Sequence, residues 1–116
     1  MPLTKVTSAV LNNDAVSYDK LGSEFTTAAA IAASDVDFST AQVFTKTLTA
    51  NDTLTFSNVS TGMVKDLVIT GDFTLTLPTS VKVISGTYDG TVSNLIQIVV
   101  TNGATEQWAS ISQEVV

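Results

Sequence analysis

From Ala41 to the end of the chain, apolar and polar residues alternate with a period of two, the mark of a pleated strand with one face buried. Seven such runs are predicted: 43–48, 53–57, 63–70, 73–77, 81–84, 94–101 and 106–112. Turn chemistry separates them, at Asn51-Asp52, Asn58 to Gly62, Gly71-Asp72, Gly86 to Gly90 and Asn102-Gly103. Gly71-Asp72, between two alternating runs, predicts a hairpin joining 63–70 to 73–77. Pro78 lacks an N–H and stops that ladder. Asn94 to Thr101 is the most apolar run and reads as a central strand. Short strands at a spacing near ten residues predict an all-β fold, an antiparallel β-sandwich or a jelly-roll-like small barrel. Neither an internal repeat nor a βαβ rhythm is apparent.

Residues 1–40 follow a different pattern, and the chain divides into an N-terminal arm (1–40) and a β domain (41–116). Asp14 and Ser17 are candidate N-caps, the second for a turn over Tyr18 to Leu21 that Gly22 would end. Thr27 to Ala33 has good helix propensity but is marginal at that length. The arm is extended, partly helical and too short to bury much alone. It is ordered by contact with something else, or it lies along the β domain as an ordinary extension. Among its large apolar residues, Leu3, Val6, Val10, Val16, Tyr18, Leu21 and Phe25 are the candidate partner-docking residues.

Composition narrows the function. Thr and Ser together supply 31 of 116 residues, and Val and Ile another 21, while Arg, His and Cys are all missing. Thr, Val and Ile suit a half-buried pleated surface. Without Cys or His the usual ligands of zinc, haem and iron–sulfur sites are gone, as are disulfides and Ser–His or Cys–His catalysis. Eleven acidic residues against five Lys give a net charge of −6, the wrong sign for a nucleic-acid footprint. No basic patch leads into an apolar run at Met1 to Lys5, so no signal peptide is expected, and no apolar stretch is long enough to span a bilayer. The expectation is a protein that is no enzyme, holds no cofactor or metal, and is made in a cytoplasm.

Two stretches carry a resemblance. Asn13-Asp14-Ala15-Val16-Ser17-Tyr18-Asp19-Lys20-Leu21 resembles an element in the N-terminal parts of bacteriophage tail-fibre and other virion proteins. Lys46 to Asn58 (KTLTANDTLTFSN), continuing through Leu67 to Pro78 (LVITGDFTLTLP), is similar to a β module of phage fibre, head-fibre and capsid-decoration proteins. The resemblance implies a homotrimer without a cofactor, assembled in the host cytoplasm and located in the virion. The function it implies is capsid decoration (cement) or a head fibre, with the arm docked on the major capsid protein or another virion protein. The alternative is a short tail-fibre, collar or receptor-binding module that contacts host surface glycan.

Two further groups are candidates for chemistry. Asp35 and Asp37 place two carboxylates on one face of an extended segment, which could suit Ca²⁺ or a glycosidase pair. A Ca²⁺ loop dense in oxygens is lacking, and Asp is the ordinary residue of turns. Tyr88, flanked by Gly86 and Gly90, and Trp108, in the last strand, are the candidate exposed contacts for a sugar ring. For Trp108 the competing role is filling a core or an interface.

Overall fold

A computed structural model describes Asn13 and residues 15–116. Leu3, Val6, Val10 and Asp14 lie outside the described residues.

The described chain is mostly β, as its alternation predicts, with ten strands and three short helical turns. A 3-10 turn covers Tyr18–Lys20 and a single α-turn, α1, covers Ser23–Thr26. The strands are β1 (Ala29–Ala30), β2 (Asp35–Asp37), β3 (Val43–Thr47), β4 (Asp52–Thr53), β5 (Thr55–Ser57), β6 (Val64–Thr70), β7 (Leu75–Thr76), β8 (Val81–Ser85), β9 (Asn94–Asn102) and β10 (Glu106–Gln113). All seven expected runs contain strands, and their bounds agree to within a few residues.

How the strands pair departs from the expectation of an antiparallel sandwich. Five of the seven pairings are parallel: β1 with β3, β3 with β6, β2 with β5, β4 with β7, and β8 with β10. Val43 lies opposite Asp66 and Asp52 opposite Leu75, each pair 23 residues apart. The chain therefore winds in coils, each stacking strand on strand about 4.8 Å above the last, a solenoid-like arrangement. Gly71-Asp72 is a corner of this coil and not a hairpin turn. Its Gly71 has φ +114°, and a Cβ there would lie 2.6 Å from the Leu48 carbonyl oxygen of the coil beneath. After the corner the chain leaves β6, and β7 pairs with β4 instead.

The coil closes with an antiparallel hairpin. Asn102-Gly103 turns the chain as expected, β9 pairs antiparallel with β6 and β10 with β9, and β8 joins the far edge. The main sheet has the order β1-β3-β6-β9-β10-β8. Its inner face is apolar: Phe44, Leu67, Ile96 and Ile111 form one cross-strand row, all buried.

Residues 29–40, assigned from sequence to the arm, belong structurally to this body. Ile31, Val36 and Phe38 are buried in the same core, and the Phe38 ring centroid lies 4.8 Å from that of Phe56. The alanine stretch is not helical, because Ala29–Ala30 gains a parallel ladder with Phe44 and Thr45 that outweighs local propensity. Gly22 has φ −67° and precedes α1 as its N-cap, so it does not end the preceding turn in a left-handed conformation.

Candidate functional site

The segment ahead of β1 carries four large apolar side chains, Tyr18 and Phe25 in two short helical turns and Val16 and Leu21 beside the first. Val16, Tyr18, Leu21 and Phe25 are between 40 and 70 % exposed. A 3-10 turn of three residues and an α-turn of four have too few backbone bonds to stand alone. The first is tied locally, Lys20 N donating to Ser17 O at 2.9 Å and Leu21 N to Tyr18 O at 3.1 Å. The Ser17 hydroxyl donates to the Asp19 carboxylate and so does not cap the turn's backbone. Phe25 lines a cleft of about 750 Å³ with Phe38, Met63 and Lys65, where the segment meets the body. At the cleft, the buried Lys65 Nζ donates to Ala41 O at 2.7 Å and Gln42 Oε1 at 2.9 Å. Burial holds its pKa below the ordinary lysine value.

The two aromatic candidates sit apart. Tyr88, expected to face outward, is half-buried against the core, and its hydroxyl donates to Gly71 O at 2.8 Å. Burial raises its pKa, with the Asp72 and Asp89 charges adding to the effect. Trp108 lies on the outer face of β10, also half-buried. Lys82 Nζ stands 4.9 Å from its ring centroid, and the indole Nε1 donates to Glu106 Oε1 at 3.0 Å.

Glu106 is the centre of this cluster. Lys82 Nζ lies 2.8 Å from Oε2 and Thr101 Oγ1 donates to Oε1 at 2.7 Å. The Lys82 hydrogen bond, then those of Thr101 and Trp108, hold its carboxyl down from 4.5 to about 2. A depressed carboxylate stabilises the folded state above its unfolded pKa, and that contribution is lost as pH falls from about 4.5 toward 2. Trp108 is the chain's single indole, so its Nε1–H resonance reports the change directly. In acid titration that resonance is expected to move with a midpoint near 2, and Glu106→Gln to abolish the transition. A midpoint near 4.5 in the unaltered protein would show that the cluster does not hold the charge.

Asp35 and Asp37, considered for metal or hydrolytic chemistry, are engaged structurally, as is Asp52. Asp35 accepts from Thr55 Oγ1 at 2.8 Å and Ser57 Oγ at 2.5 Å, fastening β2 to β5. Asp37 Oδ1 accepts from Ser39 N, Ser39 Oγ and Asn58 Nδ2, and the Ser39 and Asn58 contacts hold its pKa down. Asp52 pairs with Lys46 at 3.1 Å and accepts from Ser34 Oγ at 2.5 Å, which lowers its pKa too. Among the described residues, no three acidic side chains converge as a metal site would require. Nor, among them, is any helix long and apolar enough to cross a membrane.

What composition and motif reading missed is the outward side of the main sheet, where Val64, Val99 and Trp108 form a cross-strand row. Its signal is present in sequence: β6 and β9 carry Val or Leu at positions of both parities, so apolar residues face both ways. Compared with known proteins, the chain matches no protein-family model, no curated protein and no solved structure.

Proposed function

We propose that this chain is a virion structural subunit of the capsid-decoration or head-fibre kind, acting as a homotrimer. Residues 16–25 dock on the major capsid protein or another virion protein, and the β body sits over the shell. The observation that carries this reading is the exposure of Val16, Tyr18, Leu21 and Phe25 on a segment with little structure of its own. Four side chains so placed gain roughly 4 kcal/mol when a partner covers them, at about 1 kcal/mol for each half-exposed group. A subunit that binds the assembled shell and not its loose components stabilises the shell by mass action. The resemblance at residues 13–21 and 46–78 supports the same reading.

The glycan-contact alternative draws less support from the geometry. Lys82 lies over the Trp108 ring, where a sugar would stack, and the Tyr88 hydroxyl is committed to Gly71.

The test is a full-length chain with Val16, Tyr18, Leu21 and Phe25 all changed to Ser, mixed with undecorated shells of the virus that encodes it. Unchanged thermal melting and a loss of shell affinity of about a hundredfold or more are expected. Unchanged affinity overturns the docking role of this segment. Truncation needs care: removal of residues 1–26 spares every described strand, whereas removal of 1–40 takes Ile31, Val36 and Phe38 out of the core. In purified particles, copy number comparable to that of the shell protein favours decoration, and a few copies per particle favour a tail position.

A further inference from the structure

We infer that copies of this chain pack on one another through the outer face of the main sheet, the side opposite the solenoid interior. This rests on the reading of the chain as self-associating and supplies the surface. On that face Val64 and Val99 are 54 % and 45 % exposed, in register with Trp108, and Leu95 lies opposite Val68 in a second row. Thr, Ser and Gln side chains fill much of the remainder, groups that desolvate at small cost when hydrogen-bonded.

Two quantities point to a second copy as the occupant. The first is charge. The chain carries −6 overall, so two copies repel at most orientations. This face holds Lys82 and Glu106, which neutralise each other at 2.8 Å, leaving Asp66 as its one uncompensated charge among the described residues. It is therefore where like chains approach with least repulsion. The second is area. Five strands spaced about 4.8 Å apart, with about seven residues each at 3.3 Å, give a patch of roughly 600 Å² in projection. Its corrugated accessible area approaches the ~800 Å² per partner of a stable interface.

The measurement is solution mass by sedimentation, on the full chain and on Val99→Glu and Val64→Glu, with circular dichroism melts to verify folding. The unaltered chain is expected at a multiple of 12.1 kDa, and three times that mass for the proposed trimer. Either Glu variant is expected to stay folded and raise the dissociation constant about 30-fold or more, because it places unpaired charges within the contact. Phe73→Glu, at the exposed corner between β6 and β7 and outside the main sheet, is expected to leave the mass unchanged. A monomeric unaltered chain overturns self-association itself, and with it the trimer. A multimer that folded Val99→Glu and Val64→Glu both leave intact, or that Phe73→Glu alone dissociates, overturns only the assignment of this face.

Discussion

Replacing Asn94 with Leu is expected to lower the unfolding free energy by about 4 kcal/mol, read as a shift of the urea midpoint. Asn94 opens β9 and is fully buried, on the inner row that also carries Ile69 and Gln113. Its Nδ2 is shared among the carbonyls of Asp89 at 2.7 Å, Val92 at 3.0 Å and Ile69 at 3.3 Å. Its Oδ1 accepts from Asp89 N at 2.9 Å and Gln113 Nε2 at 2.8 Å. One side chain thus fastens the 89–93 loop, the end of β6 and the end of β10. Leu fills similar space but satisfies none of these groups, and each buried orphan costs about 1–3 kcal/mol. The loop groups regain water, which keeps the total below the plain sum. A loss under about 1 kcal/mol would mean that the loop is held by other contacts.

Gly86→Ala is the second large effect, with an expected loss of about 3 kcal/mol or more and a melting temperature lower by about 10 °C or more. Gly86 follows β8 with φ +79°, and a Cβ built there lies 1.9 Å from the Ile111 carbonyl oxygen. That oxygen belongs to the backbone of β10, which is paired with β9 on one side and β8 on the other, so it has no room to withdraw. Two separate terms act here, the left-handed conformation and the collision. Gly62→Ala separates them, because φ there is +93° while nothing lies within 4 Å of the added carbon. It is expected to cost only the conformational term, about 1–2 kcal/mol. Equal losses at the two sites would show that the approach to Ile111 is not rigid.

Strand positions were legible because alternation depends only on which face is buried, as in Leu54, Phe56 or Leu75, Leu77. Strand direction was not. Rungs stacked in parallel must match in burial and not in identity, so Phe44 lies on Leu67 and Lys46 on Ile69. Only scattered pairs such as Thr47 with Thr70 and Thr53 with Thr76 repeat, which hides the period of 23. Asp35-Val36-Asp37-Phe38 alternates strictly and could have revealed β2 had it not been read as arm. Tyr88 was misplaced because its glycine neighbours suggest an open loop, whereas its partner Gly71 is 17 residues away. The exposure of Val16, Tyr18, Leu21 and Phe25 was legible in part, since turns this short have no face large enough to hide them.

The hairpin of β9 and β10 closes one end of the stack of coils. In a stack of parallel coils the free edge of the last strand is an invitation to add another, and lineages can lengthen such proteins by duplicating a coil. Here β9 runs antiparallel along the edge of β6, taking the hydrogen bonds a fourth coil would need on that sheet. A duplicated 23-residue unit placed after β7 finds the edge of β6 already taken and cannot stack on it unless the hairpin is displaced. At its β6 end the stack is terminated, and further parallel coils cannot be added there.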